Sequence, residues 1–364
     1  MSEWQTFCLK DLGKIVGGAT PSTNNPKNYG NKIAWITPKD LSTLQGRYIK
    51  KGSRNISRLG FKSCSCVLLP KHAILFSSRA PIGYVAIAKK RLCTNQGFKN
   101  IIPNKKIYFE FLYYLLKYHK DNISNIGGGT TFKEVSGATL GLFKVKIPPT
   151  YYEQQKIAHT LSILDQKIEN NHKINELLHT LAYKIYEYYF KYKPKNAKLE
   201  QIIIENPKSG IMVKNAQKTQ DKYPFFTSGD NILSYPIAII DGRNCFLNTG
   251  GNAGIKFYVG KASYSTDTWC ICANEFSDYL YLLLSSIKDH INQSFFQGTS
   301  LKHLQKNLLK KYPIYMPSVH EIKKFNQIMM PLLTLISINT RTSKKLEQVR
   351  DFLLPLLLKQ QVKP

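Results

Sequence analysis

The sequence predicts a mixed α+β fold, in which two similar domains with mixed, mostly antiparallel sheets are separated by two long antiparallel coiled-coil helices. Three observations lead to this prediction. Strand and helix patterns recur once along the 364 residues, each copy ends in a long apolar pattern with helical spacing, and positive charge is concentrated outside the first of those helices. The predicted segments are a domain at 1–150, a helix at 151–193, a domain at 194–317 and a helix at 318–364.

A strand–loop–strand pattern is the first repeated element. Ala73–Ser77 and Gly83–Ile87 are rich in β-branched and aromatic residues and are separated by a polar loop. Cys245–Leu247 and Gly254–Val259 repeat this arrangement. We therefore expect a pair of strands at the same place in each domain.

Three further pairs follow in the same order: a short apolar helix, a small polar loop with a lysine behind it, and a proline-marked exit into a long helix. The paired segments are Phe111–Leu116 with Tyr279–Leu284, Gly129–Lys133 with Gly298–Lys302, and Ile147–Thr150 with Met316–Ser318. This order predicts an internal pseudo-two-fold repeat.

The two long helices have apolar seams in which spacings of three and four alternate, as in a coiled coil. The seam positions are Ile157, Leu161, Leu164, Ile168, Ile174, Leu178, Leu181 and Ile185, then Ile322, Phe325, Met329, Leu332, Ile336, Leu346, Val349 and Leu353. Asn171 and Asn339 interrupt the seams at equivalent places, and a buried Asn fixes helix register. Our hypothesis is that the helices pack antiparallel with each other. Pro331 and Pro355 are expected to kink or end the second helix locally.

The charge pattern favours a polyanionic partner. The formal net charge is +29, divided as +18 over 1–150, zero over 151–192, +6 over 193–317 and +5 over 318–364. A lysine-rich genome would spread this charge evenly, so a neutral segment between basic ones favours a spacer between two binding units.

The sequence predicts a cytoplasmic protein without a disulfide framework. The amino terminus has no apolar core of a secretory signal, and no apolar run is long enough to span a bilayer. Seven cysteines is an odd number for a set of paired disulfides.

The sequence lacks the motifs of several common catalytic classes. Gly254–Ala262 approaches a phosphate-binding loop, but it has one residue too many between its glycines and Ala in place of Ser or Thr. The Asn/Asp-Pro-Pro-aromatic motif of amino-methyltransferases, the His-Glu-x-x-His motif and the Gly-x-Ser-x-Gly motif do not occur. We expect no catalytic residue, cofactor or metal site. Cys64 with Cys66, and Cys270 with Cys272, are interpreted as one face of apolar strands rather than as zinc ligands.

Candidate nucleic-acid contacts lie in polar loops that recur in both halves. Arg, Asn and Gln can form bidentate hydrogen bonds with base edges, whereas Lys and Gly-rich backbone suit phosphates. The candidates in the first half are Lys51, Arg54, Arg58, Arg79, Asn95, Gln96, Thr130, Thr131 and Lys133. The candidates in the second half are Arg243, Asn248, Thr249, Asn252, Thr266, Asp267, Thr299, Ser300 and Lys302. Any one of them could equally be a solvated loop residue, but the recurrence of whole loops favours binding.

Several segments resemble the DNA specificity subunits of type I restriction–modification systems. Gly17–Leu41 resembles that family's opening motif, and Glu153–Phe190 is similar to its central spacer helix. Tyr223–Gly229 and Gly251–Ile255 resemble segments of its second recognition domain. Glu321–Phe325, which begins the last helix, departs from the Glu-Gln-Gln-Lys-Ile pattern of the first helix.

The resemblance implies a non-catalytic subunit for host defence. Each basic domain would be a target recognition domain for one half of a split double-stranded DNA sequence, and the helices would set the gap. Two modification (methyltransferase) subunits would dock on the helices, and restriction (translocase/nuclease) subunits would join them. S-adenosylmethionine, ATP and Mg²⁺ would be bound by those partners, and none by this chain.

Three alternatives stay open from sequence. A general nucleic-acid-binding or RNA-binding protein fits the charge but leaves the repeat unexplained. The absent motifs argue against a solitary methyltransferase. A silent specificity cassette would need only a few changes in the loops or interfaces.

Overall fold

The computed structural model describes residues 3–79, 81–129, 133–216 and 222–364. The chain forms two compact units. The first comprises Met1–Asn170 and Lys344–Pro364, and the second comprises Asn171–Ser343. The boundary falls within both long helices, so each unit contains one β-rich domain and a part of each helix.

In its described residues, the first unit contains ten strands and begins six α-helices. Strands β1 to β10 are Gln5–Cys8, Gly13–Gly17, Tyr29–Ile33, Trp35–Ile36, Tyr48–Ile49, Ile74–Phe76, Val85–Ala88, Cys93–Thr94, Lys99–Pro103 and Lys144–Ile147. Helices α1 to α6 are Leu9–Leu12, Pro38–Ser42, Arg58–Lys62, Phe109–Asn125, Gly137–Leu142 and Tyr151–Tyr186, with a 3-10 turn at Pro26–Asn28.

A five-stranded sheet in the order β2-β9-β6-β7-β5 forms the centre of the first unit. Its strands pair antiparallel except β5, which runs parallel to β7. β6 and β7 are the strand pair expected from sequence, with Leu75 opposite Ala86. Ile74 and Phe76 lie in one core cluster with α4, while Leu75 and Ala86 lie in another on the opposite face. Because both faces are buried, the β6 segment is continuously apolar instead of alternating.

The second unit contains the remaining elements. Strands β11 to β21 are Ala197–Lys198, Ile204–Glu205, Tyr223–Phe226, Leu233–Tyr235, Arg243–Asn248, Ile255–Val259, Ser263–Tyr264, Thr268–Cys272, Phe296–Gln297, His303–Leu304 and Pro313–Ile314. Helices α7 to α11 are Val213–Ala216, Ser277–Ser286, Lys288–Ser294, Lys306–Lys310 and Val319–Leu358, and a π-helical turn at Glu187–Lys191 follows α6.

The central sheet of the second unit repeats that of the first. Its order is β12-β18-β15-β16, all antiparallel, which matches β2-β9-β6-β7 in order and pairing. A smaller sheet, β14-β13-β17, contains one parallel pair. Tyr279–Leu284 forms the buried part of α8, as Phe111–Leu116 does in α4. The predicted mixed fold and its internal repeat are thus confirmed.

Parts of both long helices pack together within each unit. In the first unit, Ile157 and Leu161 of α6 share a core cluster with Leu354 of α11. In the second unit the packing is antiparallel, because Asn171 Nδ2 donates to Ser343 Oγ (3.1 Å) and Asn339 Nδ2 donates to Asn175 Oδ1 (2.9 Å). The two seam asparagines therefore lie one helical turn apart, in adjacent polar layers, and each bonds to a residue of the facing helix. Such a layer is suited to fix the register of the two helices.

The predicted seam is wrong at three positions. Ile174, Leu181 and Val349 are 42%, 48% and 46% exposed, whereas Ala182 is fully buried. The seam of α6 runs through Asn175 and Ala182, which a search for large apolar residues overlooks.

Neither proline ends the last helix, contrary to one of the two expected outcomes. α11 continues as one helix through Pro331 and Pro355 to Leu358. Proline removes one backbone donor, and Pro331 lies on the exposed side of the helix. A carbonyl freed on that side can bond to water, so the helix tolerates the loss.

A buried charged network ties the first β-rich domain to the helices of its own unit. Arg47 is 3% exposed and contacts Glu110 (3.1 Å), Glu169 (3.1 Å) and Asp165 (3.9 Å). Arg350 of α11 contacts Asp165 from the other side at 2.7 Å. The network thus joins the segment before β5 with α4, α6 and α11.

The Cys-x-Cys pairs have different surroundings. Cys270 and Cys272 lie on β18 as expected, but Cys64 and Cys66 follow α3 in a segment without strand pairing, so that part of the interpretation is wrong. Within the described ranges there is no group of three or more His, Cys, Asp or Glu residues that could hold a metal ion. Across those same ranges, no helix is both long and apolar enough to cross a membrane.

Candidate nucleic-acid interface

In the first unit, three loops that are distant in sequence meet at one end of the central sheet. The Ser78 amide donates to the Gly97 carbonyl (2.8 Å), and the Val135 amide donates to the Ser78 carbonyl (3.0 Å). The β6–β7 loop, the turn after β8 and the segment before α5 are therefore joined by backbone hydrogen bonds. We call this group of loops the first loop cluster.

Charged side chains surround Glu134 in the first loop cluster. Glu134 accepts hydrogen bonds from Arg79 (3.3 Å) and Lys99 (3.1 Å). Arg79 remains 38% exposed, so part of its guanidinium stays accessible. Lys133 is also exposed beside them, whereas Thr130 and Thr131 lie outside the described residues.

The opening motif packs directly on the turn after β8. The Ala19 amide donates to the Thr94 carbonyl (3.0 Å), and a Cβ on Gly18 would lie only 2.0 Å from the Asn95 carbonyl oxygen. Only glycine permits this approach. Thr20 Oγ1 donates to Gln96 Oε1, and the Asn95 side chain accepts from the Gly97 amide (3.0 Å). Gln96 is thus held at an exposed position, while Asn95 shapes the turn.

The basic segment before α3 adjoins the same motif. The Arg54 guanidinium stacks over the Tyr29 ring, 3.4 Å from its centroid, and the Tyr29 hydroxyl donates to the Pro21 carbonyl (2.8 Å). The Ser53 amide donates to Asp40 (2.7 Å), which fixes the path of this segment.

The fixed carboxylate is charged more readily than usual. Burial opposes ionisation of Asp40, but hydrogen bonds from Ser53 and Thr37 outweigh it and hold the Asp40 pKa below its ordinary value. Lys51 and Arg58, also predicted, are exposed on either side.

The second unit has a corresponding loop cluster at the same end of its hairpin. Thr249 Oγ1 donates to the Asp267 carbonyl (2.7 Å), and the Ser228 hydroxyl donates to the same oxygen. The Gly251 amide donates to the Lys302 carbonyl (2.9 Å). These bonds bring together the loops after β13, β15, β17 and β19, which we call the second loop cluster. Its predicted exposed residues are Asn252, Thr266, Thr299, Ser300 and Lys302.

Asn248 has a structural position in this cluster. It is buried, its Nδ2 donates to the Asn252 carbonyl (3.1 Å) and its Oδ1 accepts from Lys256 Nζ (3.2 Å). Burial lowers the pKa of Lys256. A Cβ on Gly254 would lie 2.3 Å from the Asn248 side chain, so the hairpin closes around it.

Arg243 is not brought to either loop cluster. It lies at the opposite end of β15, five residues and roughly 17 Å along the strand from Asn248. Its guanidinium makes two hydrogen bonds to Asp278 (2.6 and 2.7 Å) and one to Thr334 of α11 (3.0 Å). Burial raises the pKa of Asp278, although Arg243 acts against that shift.

Sequence reasoning missed several residues of the clusters. Glu134 and Lys99 pair across 35 positions, and no local pattern marks them. Ser228 lies within Tyr223–Gly229, a segment that carried the family resemblance, so that segment was the available signal.

Comparisons with known proteins agree with this architecture. The family described as "Type I restriction modification DNA specificity domain" matches residues 1–180 and again 192–348. The chain is 33% identical to the specificity subunit of the type I restriction enzyme MjaIX from Methanocaldococcus jannaschii, over 98% of this chain and 93% of that subunit. It is 23% identical to a putative type I specificity subunit of Mycoplasma genitalium, over 84% of this chain and 80% of that protein.

A solved structure supports the fold alone. The crystal structure of the type I restriction–modification S subunit from M. genitalium superposes with a TM-score of 0.63 at 17% identity, covering 97% of this chain and 96% of that one. The family is one of DNA specificity rather than catalysis, in agreement with the expectation of a non-catalytic subunit. With both halves matched and a relative aligned over nearly its whole length, the chain belongs to the specificity subunits of type I restriction–modification systems.

Proposed function

We propose that the chain is the sequence-recognition subunit of a type I restriction–modification complex and that it binds a bipartite DNA target. The observation that carries the proposal is the presence of one loop cluster on the equivalent hairpin of each repeat, β6–β7 and β15–β16. Each cluster reads one half of the target, and the bases between the halves stay unspecified.

The first loop cluster and the adjoining basic segment before α3 have side chains suited to base edges and phosphates. Arg54 and Arg79 present guanidinium groups for guanine, and Gln96 presents an amide for adenine. Lys51 and Lys133 are exposed point charges for the sugar–phosphate backbone.

The second loop cluster is less basic and richer in hydroxyl groups. Thr249 and Thr266 can donate to or accept from bases, and the Asp267 carboxylate can accept from a cytosine amino group. Lys302 contributes the positive charge at this end. The two half-sites are therefore expected to differ in base composition.

The long helices supply the scaffold in this proposal. In the second unit, Ile174, Leu177 and Leu181 of α6 are 42%, 70% and 48% exposed, and Leu335 and Ile338 of α11 are 42% and 41% exposed. Spacings of three and four place the α6 residues on one side of that helix. An exposed apolar stripe of this kind favours a protein partner.

The partners and their cofactors in this proposal are those that the family resemblance implies. Two modification subunits dock on the helices and bind S-adenosylmethionine, and restriction subunits bind ATP and Mg²⁺. The chain itself supplies specificity and the docking surface.

A methylation map tests the recognition proposal. Methylated adenines are mapped in host DNA with and without the gene for this chain. We expect one split motif, with two short specified halves around a gap of fixed length, to lose methylation on deletion. Unchanged methylation, together with failure to co-purify with a methyltransferase, would instead favour a silent cassette or a general nucleic-acid-binding protein.

Co-purification tests the scaffold proposal. Leu177→Glu places a charge on the apolar stripe and should abolish recovery of the modification subunit. Glu176→Lys also changes the charge at an exposed position of the same helix, but on a different side from Leu177, and should leave recovery unchanged. Equal recovery with both variants would show that the stripe is not the docking surface.

A further inference from the structure

A group of lysines surrounds Trp269 in the second unit. Lys306 of α10 lies over the indole ring, 5.2 Å from its centroid. The indole Nε1 donates to Glu205 (2.8 Å), and Glu205 also accepts from Lys310, one turn along α10 from Lys306. Glu205 therefore neutralises Lys310 and leaves the charge of Lys306 without a paired carboxylate in these contacts.

Like charges crowd Lys306. Burial lowers the pKa of Lys306, and the nearby positive charges of Lys208 and Lys310 act in the same direction, against Glu205. An arrangement that disfavours its own charge is relieved when an anion binds between the lysines. The indole face attracts the Lys306 ammonium and so helps to place it beside the other lysines.

The lysine group is continuous with the second loop cluster. The Asn206 amide donates to the Cys270 carbonyl (3.0 Å), and the Thr266 amide donates to the Ile211 carbonyl (3.0 Å), so the segment carrying Lys208 runs beside β18 up to the cluster. On the other side, Lys302 belongs to the cluster itself and is followed by β20 and α10.

We propose that Lys208 and Lys306, with the ring of Trp269, form a phosphate clasp that binds the DNA backbone beside the half-site read by the second loop cluster. This inference rests on the proposed function. Lysine ammonium groups are point charges without the planar fork of arginine, so they suit phosphate oxygens rather than base edges. The clasp supplies affinity and positions the domain, and it carries no sequence preference.

The clasp is specific to one half of the repeat. Its helix α10 carries Lys306 and Lys310, whereas α5 occupies the corresponding place before the last strand of the first domain and reads Gly-Ala-Thr-Leu-Gly-Leu. The last short helix of the second domain therefore offers lysines to the DNA backbone beside the second half-site, whereas α5 offers none beside the first.

The salt dependence of DNA binding tests the clasp. The full chain is titrated with two duplexes, one carrying the motif found by methylation mapping and one with both halves scrambled. Lys306→Ala and Lys208→Ala should each weaken binding to both duplexes by the same factor, about eight-fold at 0.1 M salt, and should reduce the slope of log K against log salt by roughly 0.9. Lys306→Arg should keep most of the affinity.

Lys261→Ala is the matched control, because it removes one exposed charge at the other end of the β15–β16 hairpin. It should change neither the affinity nor the slope. Thermal unfolding confirms that each variant is folded, and the slope is a readout that a purely structural role would not change.

Two results would overturn the clasp. One is an unchanged slope in both alanine variants, and the other is a loss confined to the target duplex, which would mean base reading. The proposed function fails separately, when the wild-type chain binds both duplexes equally. If that happens, a changed salt slope in the alanine variants still supports the clasp. If the wild-type chain binds neither duplex, both the clasp and the proposed function are refuted.

Discussion

Replacing Arg47 by Met should destabilise the first unit strongly. The guanidinium is 3% exposed and lies 3.1 Å from both Glu110 and Glu169. Attraction across 3.1 Å is worth about 5 kcal/mol per pair at an effective dielectric constant of about 20, and burying the ions costs a comparable amount. The intact network therefore adds little net stability, but loss of Arg47 leaves the mostly buried Glu110 and Glu169 without their shared cation.

The expected loss is about 3–5 kcal/mol in the free energy of unfolding, as for other buried ion pairs with one partner removed. For a unit of this size that corresponds to a fall in melting temperature of roughly 6–20 °C. Hydrogen exchange of the β5–β7 amides measures the effect locally, which matters because two units need not unfold together.

Arg91→Met is the control, because Arg91 is exposed in the turn before β8. It should change stability by no more than about 0.5 kcal/mol. Arg47→Met combined with Glu169→Met removes one acid together with the cation and should recover part of the loss, although Glu110 remains without Arg47. An Arg47→Met loss no larger than that of Arg91→Met would refute the reasoning, because leaving the buried acids without their cation would then cost nothing.

Three further predictions concern the second unit, the opening motif and the helix seam. Arg243→Met leaves Asp278 buried without its cation. Burial already raises the pKa of Asp278, so the folded state of the variant binds a proton that the unfolded state releases, and its stability in thermal unfolding should fall as pH rises from about 4 to 7. A stability difference between variant and wild type that does not change with pH would contradict this. Gly18→Ala puts a Cβ 2.0 Å from a carbonyl oxygen and should weaken target binding about ten-fold, a cost of about 1.4 kcal/mol. Gly17→Ala is the control, because nothing lies within 4 Å of its Cβ, and it should bind normally. Equal affinities of the two variants would rule out a role for the close approach. Asn171→Leu should loosen the register of the two helices and so alter the domain separation measured by small-angle scattering. An unchanged scattering profile would show that Asn171 does not fix the register.

The repeat and the long helices could be predicted because they depend on local patterns. Residues 73–77 and 245–247 carry strand-like composition, and the helices carry spacings of three and four. The seam of α6 was mispredicted at Ile174 and Leu181, because not every large apolar residue on a helix lies in its seam. Sequence alone does not distinguish an exposed Leu181 from a buried Ala182.

The loop clusters could be predicted as loops but not as sets of contacts. Arg79 and Gln96 were identified from residue type, and the structure brings their loops together through Ser78 and Gly97. Arg243 has the same chemistry, yet it lies at the far end of its strand against Asp278. Residue type indicates what a side chain can bind. Which end of the strand a residue occupies can be told only from the strand register.

The division of the chain into units has a consequence for the order in which it folds during synthesis. Residues 171–343 form the second unit without interruption, so all of its parts have been made before the last helical turns are translated. The first unit is made first but lacks Leu354, Leu357 and Arg350, which cover Ile157 and Asp165 in its core and network. During synthesis, the α6 face of the amino-terminal domain therefore stays uncovered while residues 171–343 are translated. A premature stop after residue 343 would leave the second unit entire but remove the last helical segment from the first-made domain.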